Sequence, residues 1–370
     1  MDTKAIPQPA QNFHGRSNQN DSNLTPKQDS TRFANTNESR SPEETTTNLA
    51  QSANRHQIVL HTENSITEIR RDYLHSYYVL VAPKRRGRPY DTTSHDHPLV
   101  ETASSPHLEL QQLIYDFPDK IGGWSVRVVE NKFPALTPEN PRAYGKQEIV
   151  IDTPLVNTEF GDLATEQIVN VLKTYQARSS DLLKMPHINY VSIFRNDGFE
   201  AGASLAHAHS QIYALPFTPP RIKSEAETIQ QYISTHNEDP FQAILHFEQE
   251  EKSRIIESNA DWISFCPYAS QWQMEAWILP RRRFATLQEA TDKELTSLAP
   301  LLQKISARLN RADISFNMSV EQGVSEHQRL AFKFRGRNVF GVWGGLEVTT
   351  GIIINVVPPE AAADWYRRED

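Results

Sequence analysis

Three side chains near the middle of the chain carry the clearest chemical signal. They are His207, His209 and Gln211, in the run Gly202-Ala-Ser204-Leu-Ala-His207-Ala-His209-Ser-Gln211. In an extended strand alternate side chains share a face, so this spacing predicts that all three point the same way. Neutral imidazole is nucleophilic near neutral pH, and a phosphoramidate formed on it can be attacked again. A glutamine amide donates to a non-bridging phosphate oxygen without adding charge. The same string would also suit a metal pair, or two surface histidines on an edge strand. Just upstream, Asn196 and Gly198 close a predicted strand. Gly202-Ala203-Ser204 then forms a small-residue approach at which a phosphate could meet backbone N–H groups.

The elements that must hold these groups follow from periodicity. Strands are expected at 77–81, 124–130, 148–151, 188–194 and 209–215, with a helix over 164–178 whose Ile168, Leu172 and Tyr175 share a face. A second cycle follows, with strands at 254–257, 262–265 and 274–279. The capping box Thr291-Asp-Lys-Glu294 then opens a helix carrying Leu295, Leu298, Leu302, Ile305 and Leu309 on one stripe. Strands at 329–334 and 350–356 and a short helix from Pro358-Pro359 close the chain. Without regular βαβ alternation a doubly wound parallel sheet is excluded, and two related α+β halves fit better.

Composition narrows the class. Of 370 residues 38% are hydrophobic and 23% charged, but residues 1–55 are mostly Asn, Gln, Ser, Thr and Pro, with Phe13 and Phe33 their only aromatics. Such a stretch cannot bury enough apolar surface to offset its ordering entropy and reads as a disordered tail. Its acidic residues fit a transit peptide poorly. No apolar run reaches membrane-spanning length, which predicts a soluble, cytoplasmic protein. A net charge of −8 argues against nucleic acid as a partner. Cys266 is the only cysteine and lies in the apolar stretch Trp262–Pro267, so neither a disulfide nor a thiolate zinc cluster is expected.

Taken together, these segments resemble the galactose-1-phosphate uridylyltransferase family of the histidine-triad superfamily. Beyond the histidines, the similar segments are Ala82-Pro-Lys-Arg85-Arg-Gly-Arg88-Pro89, Val126 to Leu136 around Asn131, Glu148 to Pro154, Arg254 to Pro280, and Gly345-Leu-Glu347 with Asn355 and Pro359-Glu360. The resemblance runs from about residue 66 to the end. It implies an α+β fold of two histidine-triad-like halves with mainly antiparallel sheets, spanning 56–220 and 221–370.

By the same resemblance, His209 would be the nucleophile and Gln211 the stabiliser of the nucleotidylated state, with His207 beside them. Ser204 and Asn196 would bind phosphate, Arg85 and Arg88 the nucleotide, and Asn131 the nucleoside, while Glu347 helps to select the acceptor. Read without it, Arg85 and Arg88 are solvated surface charge, and Asn131 caps a turn before Pro134. The implied reaction is ping-pong: a nucleotide sugar loads His209, sugar 1-phosphate leaves, and an incoming phosphate takes the nucleotide. A homodimer is implied as well. The alternatives are a phosphorylase for an ADP-sugar or a dinucleoside polyphosphate, and a nucleotide-binding relative without turnover.

The chain departs from the family pattern at its metal ligands. Val156 stands where a zinc histidine is expected, and no Cys-x-x-Cys follows the arginines. Ala331 and Lys333 replace the histidines of a second site, of which Glu225 is the surviving carboxylate. No metal cofactor is therefore expected, although a replacement zinc site using His95, His97 and His207 is conceivable.

Overall fold

The computed structural model describes residues 67–71, 78–81, 113–118, 123–155, 158–203, 207–337, 339 and 344–368. The tail 1–55, Arg85, Arg88, His95, His97, Val156 and Ser204 lie outside the described residues.

A two-stranded antiparallel ribbon, β1 (Glu68–Arg71) with β2 (Tyr78–Val81), precedes the main sheet. β3 (Leu113–Pro118), β4 (Trp124–Glu130) and β5 (Lys146–Ile151) lead into helix α1 (Thr165–Leu182). β6 (Tyr190–Asp197) and β7 (His209–Leu215) follow. Two helices come next, α2 (Pro220–His236) and α3 (Pro240–Glu251). The pattern then repeats as β8 (Ile255–Ser258), β9 (Trp262–Phe265), β10 (Ala276–Pro280), helix α4 (Asp292–Arg311), β11 (Phe316–Glu321) and β12 (Ala331–Gly336). α5 (Gly345–Thr350) and α6 (Pro359–Arg367) finish the described chain.

Ten strands form one antiparallel sheet in the order β3-β4-β5-β7-β6-β11-β12-β10-β9-β8. Each half runs first, second, third, fifth, fourth from its outer edge inward, so the halves meet at a seam between β6 and β11. There Asn196 lies opposite Asn317 and Phe194 opposite Ser319. The expected α+β class with a mainly antiparallel sheet is what the chain adopts.

Both long helices cover one face of the sheet. On α1, Ile168, Val171, Leu172, Tyr175 and Leu182 are buried at helical spacing. On α4 the stripe Leu295, Leu298, Leu302, Ile305 and Leu309 is fully buried. Its N-terminus is closed by the reciprocal capping box: Glu294 N–H donates to Thr291 Oγ1 (3.3 Å), and Thr291 N–H donates to Glu294 Oε2 (2.8 Å). Such a cap contributes about 1 kcal/mol. Gly161 lets the 3-10 turn before α1 press against α4, where a Cβ would stand 2.3 Å from Ala307 N.

The opposite face differs between the halves. Over the second half, Ile229 of α2 with Phe241 and Leu245 of α3 pack on Ile263, Phe265, Leu279 and Ala331. β7 presents His209 and Gln211 to this same face, because Ile212 and Ala214 point into the α1–α4 core.

Three expectations need correction. Residues 350–356 form no strand: α5 ends at Gly351 (φ 75°), and Ile352, Ile354 and Val356 are exposed. β-branched residues suit a pleated, half-buried surface, and here both neighbours of β12 are already taken by β10 and β11. α2 and α3 were not foreseen, although each opens with proline in its first turn and Asp239 accepts the Phe241 N–H (2.9 Å). β11 was also missed, although Phe316, Met318 and Val320 alternate with Asn317, Ser319 and Glu321 at the period of a half-buried strand. No described helix is long and apolar enough to cross a membrane.

Candidate active site

β6 and β7 are adjacent antiparallel strands, and the segment joining them brings the histidines to the sheet's end. β6 stops at Asp197. Gly198 then takes φ +79°, and a Cβ there would lie 2.2 Å from Ser315 Oγ, so only glycine fits. A 3-10 turn, Phe199–Ala201, leads to Gly202 at φ +84°. Within this loop the Gly202 N–H donates to Phe199 O (2.9 Å) and the Ala203 N–H to Gly198 O (3.2 Å). The expectation that Gly202-Ala203-Ser204 offers backbone N–H groups to a phosphate is therefore corrected for Gly202 and Ala203, whose N–H groups the loop's own carbonyls hold.

β7 begins at His209, so the shared-face argument holds for His209 and Gln211, while His207 sits in the bend before the strand. All three are nearly buried, at 3–4% exposure. His207 Nε2 donates to Thr153 O (2.8 Å), anchoring the bend to the segment after β5. His209 Nδ1 lies 2.7 Å from His207 O. A carbonyl oxygen only accepts, so Nδ1 carries a proton, and in the neutral ring Nε2 is then the nitrogen with the lone pair. Gln211 is oriented in the same manner. The Ala135 N–H donates to Gln147 Oε1 (2.9 Å), and Gln147 Nε2 donates to Gln211 Oε1 (3.3 Å). That leaves Gln211 to act through its N–H groups.

A cavity of about 240 Å³ opens at this end of the sheet, lined by Asn196, His207 and His209 together with Glu159, Arg195 and Asp197. Burial first, then Asp197 and Asp162, lift the Glu159 pKa to about 7. Arg195 is 1% exposed, stacks over Phe160 (4.1 Å), pairs with Asp152 and donates to Ser210 Oγ (3.2 Å). Burial lowers its pKa to about 10, which still leaves it charged at neutral pH. Tyr175 of α1 and Ser210 share a hydrogen bond of 2.5 Å, so a polar cluster braces β7 from behind His209. Sequence reasoning missed Arg195, Gln147 and Glu159. Only Arg195 left a trace, as a charge at a core-facing position of β6.

The other foreseen residues lie apart from the cavity lining. Asn131 Oδ1 accepts the Phe133 N–H (2.9 Å), which is the turn-capping role. Glu347 accepts N–H groups from Gly344 (3.0 Å) and Ile354 (3.3 Å), closing the α5 loop. Cys266 is fully buried, and burial pushes its thiol pKa up, as expected of an inert cysteine.

Comparison with known proteins identifies the family. Residues 56–219 match the N-terminal domain of galactose-1-phosphate uridyl transferase, and residues 225–330 match its C-terminal domain. The chain belongs to the galactose-1-phosphate uridyl transferase family. Among curated members, it is 28% identical to the ADP-glucose phosphorylase of Arabidopsis thaliana, over 82% of this chain and 93% of that one. It is 26% identical to the galactose-1-phosphate uridylyltransferase of Thermotoga maritima, over 74% and 96%. A solved uridylyltransferase superposes with a TM-score of 0.69 at 26% identity, covering 81% of this chain and 97% of that one. The Arabidopsis ADP-glucose phosphorylase with bound ADP-glucose superposes with a TM-score of 0.67 at 25% identity, covering 82% and 99%.

For this member of the uridyl transferase family, the described residues place no group of three or more His, Cys, Asp or Glu where a metal ion could bind. Lys333 Nζ lies 2.5 Å from Glu321 and 3.6 Å from Glu225. An ammonium thus engages the carboxylate that the sequence marked as a surviving metal ligand.

Proposed function

We propose that this protein is a nucleotidyltransferase that carries the nucleotide on His209 between two half-reactions. The observation that carries the reading is the 2.7 Å bond from His209 Nδ1 to His207 O, which makes Nε2 the lone-pair nitrogen of the neutral ring, in a side chain lining the cavity. Nε2 attacks the α-phosphorus of a nucleotide sugar, the N–P bond forms, and the P–O bond to sugar 1-phosphate breaks. The imidazole gains positive charge as it is phosphorylated, and the Nδ1–H···O=C bond strengthens with it. Gln211 and Asn196 donate amide N–H groups to the non-bridging oxygens. A phosphate oxygen of the acceptor then attacks the same phosphorus and releases the ring. Ser204 binds phosphate, Arg85 and Arg88 the nucleotide phosphates or base, and Asn131 the nucleoside.

A hexose 1-phosphate is the acceptor in the first form of this reading. A second form keeps the chemistry and uses inorganic phosphate, and the identity to an ADP-glucose phosphorylase over 82% of the chain favours it. In both, Glu347 selects the acceptor from a second copy of the chain. Leu346, Val348, Ile352, Ile354 and Val356 around it are 44–76% exposed, an apolar patch suited to a homodimer.

Intact-mass spectrometry tests the proposal. Protein mixed with UDP-glucose or ADP-glucose, without acceptor, should gain one nucleoside monophosphate, in an acid-labile, alkali-stable adduct. Discharge by a hexose 1-phosphate supports the transferase, and discharge by inorganic phosphate the phosphorylase. Binding without any adduct across a panel of nucleotide sugars would leave a non-catalytic nucleotide-binding protein.

A further inference from the structure

The seam between the halves places a second-half side chain directly on the first-half phosphate ligand. Asn317 of β11 lies opposite Asn196 of β6, and its Nδ2 donates both to Asn196 Oδ1 (2.9 Å) and to Ala201 O (2.9 Å). Its Oδ1 accepts from Arg337 Nη1 (3.2 Å). Arg337 is itself held, by a backbone bond to Ser315 O (2.8 Å) and by its guanidinium over the Trp272 ring (4.8 Å).

Donor and acceptor types leave this chain one consistent direction. A guanidinium only donates and a backbone carbonyl only accepts, so Asn317 must turn its oxygen to Arg337 and its nitrogen to Ala201. Flipping it would set oxygen against oxygen and nitrogen against guanidinium. Both Asn317 hydrogens are then in use, and Asn196 receives one of them on its oxygen. Asn196 is left with its NH₂ group outward, making one long contact to Gly202 O (3.4 Å), at the edge of the cavity that holds His209. The orientation matters for phosphorus chemistry. An outward NH₂ donates to a phosphate oxygen, whereas an outward carbonyl would repel it.

We infer that Asn317 and Arg337 are positioning residues that hold the Asn196 amide with its N–H groups toward the phosphate, so that the second half directs the nucleotidyl transfer of the first. The inference rests on the nucleotidyltransferase reading for its chemistry, but the orientation of Asn196 stands on the contacts alone.

A double-mutant cycle tests it. Asn317→Asp keeps the size of the side chain and removes the donor, so Asn196 turns its NH₂ to the new carboxylate and its oxygen to the cavity. Single-turnover formation of the His209 adduct should slow by about 10²-fold, the scale of losing one donor to a developing charge. In an Asn196→Ala background the same substitution should change the rate by no more than about 2-fold, because its target is gone. Arg337→Met, at a half-buried position, should give a smaller slowing that also vanishes without Asn196. Should Asn317→Asp fail to fold, this second variant carries the test. Equal slowing with and without Asn196, or none at all, overturns the inference. If wild-type protein forms no adduct, the nucleotidyltransferase reading fails instead. The same cycle is then read as the affinity for UDP and ADP by calorimetry, where loss of coupling to Asn196 overturns the relay.

Discussion

The two halves of the sheet carry matching rows of side chains that do different things. Gln211, Phe194, Ser319 and Lys333 lie in one cross-sheet row, so Gln211 and Lys333 stand with two strands between them across the seam. In the first half the row is neutral, and beside it His209 and Asn196 line a cavity. In the second half, Lys333 and Arg335 pair with Glu321, and Lys333 lies 3.6 Å from Glu225 of α2. Lys333 also stands over the Trp277 ring at 4.2 Å. Charges that neutralise one another under helices hold a sheet together but keep little capacity for a ligand. A neutral group such as Asn196, whose acceptor is taken while its side chain lines the cavity, keeps that capacity. One architecture thus leaves a polar cavity on one side and a self-neutralised charge network on the other.

The sharpest way to break that comparison is to exchange the roles. His209→Ala should abolish the nucleotidyl adduct in intact-mass spectra, whereas Lys333→Met should leave it in place. Loss of the adduct in both would mean that the halves share one site.

Next in size is the brace behind His209. Asp152→Asn leaves the buried Arg195 with Asp197, at 4.0 Å, as its remaining counter-charge and should cost up to about 3 kcal/mol in urea unfolding. A loss below 1 kcal/mol, on the order of an exposed pair, would remove Arg195 from the structural argument.

The pH dependence of Lys333→Met sharpens the second-half picture. Burial would raise the Glu321 pKa, but Lys333 and Arg335, with Arg221, outweigh it and hold the carboxyl at about 2. Its folded value lies below the unfolded one of about 4.5, so its contribution to stability is present above that value and lost as pH falls toward 2. Removing Lys333 should flatten this acid loss when melting is followed between those limits.

The smallest effect belongs to Glu159. Its pKa is raised to about 7, so the stability tied to its neutral form is complete below about 4.5 and lost as pH rises through 7. Because the side chain keeps solvent contact, the change is modest. Glu159→Gln should melt slightly higher than wild type at pH 8 and match it at pH 4. Identical curves at both would exclude a crowded carboxyl at the cavity mouth.

What the sequence alone determined is local. β4, β7 and β9 fall where short runs of β-branched, aromatic and other strand-prone residues place them, and α4 starts at its Thr291–Glu294 capping box. Periods of 2 and 3.6 residues and a cap four residues long are written in neighbouring positions. His209 and Gln211 share a face because two residues of strand put them there. Segments whose apolar residues meet no sheet, such as 350–356, misled the same logic, since β-branching states a preference for a surface that only the fold supplies.

The tertiary structure decided which hydrogen-bonding groups remain available. Asn131 closes its own turn, and the Gly202–Ala203 backbone bonds within its loop. Gln211 is turned by Gln147, 64 positions away, and Asn196 by Asn317, 121 positions away. An amide reads the same in the sequence whichever way it faces. Its direction is chosen by the one neighbour that can only donate or only accept, and strand register at a distance selects that neighbour.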